Sequence, residues 1–162
     1  MLRLKPPEWR ALPVLLLAWG PVLAARGGEP TWYLNAQAYS FHEHTSETDL
    51  HNTTPGVGVI RRHDHWLEGA GVFRNSIGRW AGYCYIGWQK PLWQLPGGAV
   101  RAGAIGGLTH HYNYNDGGIV PLAAAVVTVP VTKTFAVDLV GIPRIENTTY
   151  ATMNVSVSWQ FR

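Results

Sequence analysis

Near the C-terminus, Met153, Val155, Val157, Trp159 and Phe161 alternate with Asn154, Ser156, Ser158 and Gln160. A period of two gives an extended strand one apolar face and one polar face. In a soluble sandwich the apolar face would meet a core. In a membrane barrel it would meet lipid, with the polar face turned to the lumen. Seven further segments carry strand patterns, near 31–43, 55–62, 66–75, 80–89, 99–110, 119–129 and 134–142. Their length is about ten residues, which is what a tilted membrane strand needs. Turn-forming residues separate them: Asn52-Thr53-Thr54-Pro55, His63-Asp64-His65, Ser76-Ile77-Gly78, Pro96-Gly97-Gly98 and Asn115-Asp116-Gly117-Gly118. Eight strands is the smallest even number such barrels use.

The first 24 residues read differently. Arg3, Lys5 and Arg10 precede a short apolar run over 11–20, and Val22-Leu23-Ala24 places small residues where a signal peptidase cuts. The run is too short and too interrupted by proline to span a bilayer, which takes about 20 apolar residues. We read 1–24 as a cleaved signal peptide and 25–162 as one domain. Removing three basic residues and Glu8 from the 13 basic and 10 acidic residues leaves a formal charge of +1. That balance gives no support for nucleic-acid binding. Charged residues make up only 14% of the chain, against about 25% in soluble domains. Cys84 stands alone, so no intrachain disulfide framework exists. The expectation is an all-β, eight-stranded antiparallel up-and-down transmembrane β-barrel, monomeric, in a bacterial outer membrane. Its partners would be the barrel-assembly machinery and membrane lipids, both phospholipid and lipopolysaccharide.

With the N-terminus in the periplasm, odd-numbered connections lie outside the cell. One rim then carries the end of the first strand, the Asn75-Ser76 turn and the connections after His110 and Ile142. Gly82, Gly87, Gly103, Gly106 and Gly107 fall inside strands, where glycine is intrinsically unfavourable. Inward-facing glycines would open a slot for one acyl chain; alternatively they relieve strain in a tightly curved barrel. Pro121, Pro130 and Pro143 remove ladder donors around the sixth and seventh strands, where neighbours could part. His42, His44, His51, His110 and His111 gather toward the same rim, yet no tight metal-ligand motif is present. Neither a metal nor a cofactor is expected.

Several short motifs occur in a telling order. Asn52 with Pro55-Gly56-Val57-Gly58, Phe73-Arg74-Asn75-Ser76, Gly87-Trp88, Ile119-Val120-Pro121-Leu122, Val140-Gly141-Ile142-Pro143 and Ser158-Trp159-Gln160-Phe161 follow one another along the chain. In this order and spacing the chain resembles the lipid A palmitoyltransferase (PagP) family, small outer-membrane barrels that move a palmitoyl chain from phospholipid to lipid A. The resemblance implies an acyltransferase in which His42, Asn75 and Ser76 are catalytic. Ser76 matches the family's serine, and Asn75 stands where the family has aspartate. It also implies that Gly87 lines the acyl pocket and that Pro121 and Pro143 mark the route by which lipid enters. The alternative is a small outer-membrane barrel that keeps the scaffold without the chemistry.

Overall fold

The computed structural model describes residues 29–43, 50–110, 118–144 and 151–162. The N-terminal segment read as a signal peptide lies outside these residues, as do His44 and His111. Eight strands follow in order: β1 (Thr31–His42), β2 (Thr53–His63), β3 (Trp66–Arg74), β4 (Trp80–Leu95), β5 (Gly98–His110), β6 (Ile119–Pro130), β7 (Phe135–Ile142) and β8 (Thr152–Gln160). Each pairs antiparallel with its sequence neighbour, and β8 closes on β1 to complete a barrel. Closure gives every strand a neighbour on both sides along part of its length.

The alternation in β8 now has a direction. Ser156 and Ser158 are buried in the lumen, while Met153 and Trp159 are exposed on the outside. The same sense holds around the wall, with Leu34, Val57, Ile86, Leu108, Ile119 and Phe135 all turned outward and exposed. A soluble sandwich would have the opposite arrangement.

Two boundaries differ from the sequence expectation. β4 continues past Gln89 to Leu95, and β5 begins at Gly98, so this hairpin projects below its neighbours. β3 reaches β4 only as far as Trp66↔Trp88. Below that level β4 is an edge strand, and the ladder to β5 shifts register between Pro91 and Trp93. An edge bulge is where proline can sit in a sheet. Likewise β2 begins at Thr53 and includes Pro55, beside the irregular upper part of β1.

The connections at one end of the barrel are tight. Asp64 takes a left-handed φ of 54° in the β2–β3 turn, a conformation short polar side chains tolerate. At the other end, the β3–β4 turn is closed by the Gly78 amide donating to the Asn75 carbonyl at 2.8 Å. Gly78 has φ 78°, which suits glycine. Close backbone approach explains two strand glycines: a Cβ on Gly103 would run into the Trp88 carbonyl, and one on Gly107 into that of Cys84.

Candidate functional site

A polar network fills the lower lumen. Asp138 Oδ1 accepts from Thr128 Oγ1 at 2.6 Å, and its Oδ2 accepts from the Ser158 hydroxyl. Asn35 Nδ2 donates to Ser156 and Ser158, both at 3.0 Å. Gln89 Nε2 donates to Thr128 Oγ1 at 3.0 Å, and Arg62 Nη2 donates to Gln89 Oε1 at 3.2 Å. The Arg62 guanidinium also lies 5.0 Å from the centre of the Tyr33 ring. Strands β1, β2, β4, β6, β7 and β8 all contribute, so the network ties the wall together across the lumen.

Above it lies a cavity of about 70 Å³. Leu67, Phe73, Tyr85, Ile105, Leu122 and Val126 form its apolar side. Gln37, Asn154 and Ser156 face it from β1 and β8. Gly87 is buried directly behind Leu67 and Ile105, which occupy the space a side chain there would need. The rings of Tyr83 and Tyr85 take the room left by Gly58, Gly69 and Gly71.

The wall beside this cavity is parted. The β6–β7 ladder runs from Pro130↔Ala136 up to Ala125↔Gly141 and ends there, while β6 continues to Ile119. Pro143 follows the end of β7, where the next rungs would need an N–H that proline lacks. Pro121 sits in the upper part of β6, exposed on the outer face and paired only toward β5, with Leu108. The two prolines therefore flank the gap. Leu122 and Ile142, one on each side of it, both line the cavity.

His42 stands at the rim above. Between Gln37 and Tyr39 the register of β1 shifts against both β2 and β8. The extra residue changes which face the following side chains take. Tyr39 and Phe41 point outward, and Ser40 and His42 turn inward. His42 Nε2 meets Ser40 Oγ at 2.9 Å, and Nδ1 meets Thr152 Oγ1 at 3.1 Å. Both ring nitrogens thus face hydroxyls, which donate or accept as the tautomer requires. This hydroxyl–imidazole–hydroxyl row can accept a proton at one nitrogen while the other is held in orientation.

Asn75 and Ser76 lie on the same rim in the β3–β4 turn. Asn75 is only 1% exposed, and its Oδ1 accepts from the Arg79 amide at 2.9 Å. Its side chain thereby caps the turn. The Ser76 carbonyl accepts from the His51 amide at 2.8 Å, tying this turn to the connection after β1. A rim pocket of about 260 Å³ lies between them, lined by His51, Asn52, Arg74 and Asn75 among others. The hydroxyls bonded to His42 are those of Ser40 and Thr152, which the sequence reading did not single out. Its signal was present: the apolar phase moves from Trp32 and Leu34 to Tyr39 and Phe41, which announces a bulge. Thr152 carried no comparable signal. Among the described residues no three His, Cys, Asp or Glu side chains stand together as a metal site would require.

The fold and site define a closed eight-stranded barrel with a half-apolar lumen, a parted wall and a histidine at the rim. In comparison with known proteins, the chain matches no family model and no curated sequence.

Proposed function

We propose that the chain is exported by its N-terminal segment, inserted in a bacterial outer membrane and there transfers an acyl chain from a phospholipid to lipid A. The membrane part of this reading is supported by the outer surface. Tyr39, Phe41 and Trp80 are exposed at one end of the barrel, and Trp88, Phe135 and Trp159 at the other. Aromatic bands at two levels around an apolar belt suit the two interfaces of a bilayer. Arg61 and Glu68 face outward too, but they pair at 3.3 Å at the lower band, where charge is tolerated.

The observation that carries the acyl-transfer reading is the gap between β6 and β7 opening beside a cavity below His42. A lipid chain could pass through it from the bilayer without leaving an apolar environment. With the chain in the lumen, its ester lies near the rim. His42 takes the proton of the acceptor hydroxyl, and that oxygen bonds to the ester carbonyl carbon. The bond to the lysophospholipid oxygen then breaks, and this oxygen receives the proton. Thr152 holds the ring, while Ser76 and the Asn75 turn border the acceptor side.

Lipid A from cells with and without the gene, compared by mass spectrometry, tests the reading. One added acyl chain that depends on the gene is expected. His42→Ala should lower transfer by about 10²-fold or more, the usual contribution of a general base. Unchanged lipid A under induction would remove the activity.

A second reading, a non-catalytic barrel, is favoured by one feature: the Asn75 side chain is engaged in capping its own turn. Lipid A that gains no acyl chain from the wild-type gene, from Ser76→Ala or from His42→Ala, while all three barrels fold, would select it.

A further inference from the structure

The rim pocket of about 260 Å³ opens away from the lumen. Thr53 and Pro55 of β2 and Arg74 of β3 line it and are exposed, whereas Thr54 is buried and Phe73 faces the lumen cavity. In the closed order of strands, β2 lies opposite β6 and β3 opposite β7. The pocket and the β6–β7 gap are therefore on opposite walls. Trp80 pairs across the ladder with Arg74 and is 62% exposed, which puts the pocket at the level of the upper aromatic band. Arg74 Nε donates to the Gly78 carbonyl at 3.0 Å. That bond holds the guanidinium on the β3–β4 turn, and among the described residues no carboxylate pairs with it. Its Nη donors stay uncommitted. Both sides of the pocket are pinned: the His51 amide donates to the Ser76 carbonyl at 2.8 Å, and the Ser40 amide to the Asn52 carbonyl at 2.7 Å. The side chains of His51 and Asn52 add polar groups, and among the described residues no carboxylate lines the pocket.

From this we infer that the rim pocket binds the phosphate group of a membrane lipid, held by the Arg74 guanidinium with His51 and Asn52 beside it. A guanidinium meets two phosphate oxygens with parallel N–H donors, a geometry that a lysine lacks. A phosphate has further oxygens for the neighbouring side chains, where a carboxylate would have none left. The inference rests on the proposed function only in setting the barrel in a bilayer; it needs neither the lumen nor acyl transfer. Free phosphate offers the same chemistry as a lipid head group. The lipid is favoured by what lies around the pocket on the outer face. Val57 follows Pro55 on that face of β2 and is 50% exposed, and Trp80 stands beside Arg74. Both are apolar surfaces on which the lipid's chains can lie while its phosphate is held above. A lipid bound here stays against the wall opposite the gap, so the site anchors the barrel at a fixed height and does not feed the lumen.

The test is a titration of the full chain, without its signal segment, folded in micelles of a sugar-headed detergent that carries no phosphate. The probes are dihexanoyl phosphatidic acid, dihexanoylglycerol and inorganic phosphate, and the readout is the backbone amide NMR signals of His51 and Gly78. We expect phosphatidic acid to shift both signals saturably and dihexanoylglycerol to leave them in place. Phosphatidic acid should bind about tenfold more tightly than inorganic phosphate, the gain from covering roughly two methylene groups. Arg74→Gln should weaken its binding by about tenfold or more, as loss of charge-assisted hydrogen bonds does. Arg74→Lys should keep part of it, because the charge remains and the fork is lost. Folding of each variant is checked by the shift in gel migration on heating. Equal affinity for phosphatidic acid and inorganic phosphate supports a phosphate site and overturns the lipid as its source. The absence of a saturable shift with either, or wild-type binding by Arg74→Gln, overturns the inference. A barrel that binds phosphatidic acid in this way but acylates no lipid A supports the inference and removes the acyl-transfer reading. One that acylates lipid A without this binding does the reverse.

Discussion

The lower and upper halves of this lumen are made by the same eight strands and behave as different materials. Below, Asp138, Asn35, Ser158, Thr128, Gln89 and Arg62 bond across the interior, and the β6–β7 ladder is complete. Above, that ladder has stopped, a cavity replaces the network, and Gln37 Oε1 lacks a partner. The polar floor makes the barrel rigid because each group would be costly to leave unsatisfied. The upper half gives up some of that connection and encloses open volume in its place. Polar bonding and open volume are thus segregated along the barrel axis rather than mixed at each level.

Breaking the floor should cost the most. Asp138→Ala removes the acceptor for Thr128 and Ser158 and strands both hydroxyls, which should lower stability by about 3 kcal/mol. Leu122→Ala, at the already open cavity, should cost about 1 kcal/mol, below the usual range for a packed core leucine. Urea-unfolding midpoints of the two variants in the same detergent decide the matter; equal losses would erase the distinction between the halves. Next comes Gly103→Ala, which drives a Cβ into the Trp88 carbonyl and should destabilise by about 2 kcal/mol. Gly106→Ala, with only the Leu122 carbonyl at 4.0 Å, should be neutral in the same measurement. The smallest effect sharpens the seam itself. The backbone amide of Ala123, which faces the seam above the last β6–β7 rung, should exchange with deuterium about tenfold faster than those of Val127 and Val129 within the ladder, reflecting local opening. Uniform protection along β6 would mean that the gap does not breathe.

Much of the barrel is legible in the amino-acid sequence. The period-two pattern in β8 and the turn residues after each segment located all eight strands, because side-chain alternation and turn chemistry are local properties. The failures were local in another sense. β4 running on through Pro91 depended on β3 ending at Trp66, which makes an edge that only the neighbouring strand reveals. At the site, His42, Asn75 and Ser76 were placed on one rim by counting strands, and the structure sets them there. Which hydroxyls touch the imidazole was not readable. Ser40 needed the bulge at Ala38 to turn it inward, and Thr152 reaches His42 from 110 residues away through the β1–β8 closure. The in-strand glycines posed the same problem. Gly103 and Gly107 accommodate the backbone of β4, a contact set by the coiling of two strands against each other.

The amino-acid sequence by itself determined an eight-stranded all-β chain with two-faced strands, a rim bearing histidine and serine, and prolines around the sixth and seventh strands, because each follows from residue spacing. Only the tertiary structure decided that the polar faces point inward, that β6 and β7 part above Ala125, and that Gln37 is left unmet in the lumen. Those outcomes depend on closing the sheet, which brings β8 onto β1 and turns a pattern along one strand into an inside and an outside.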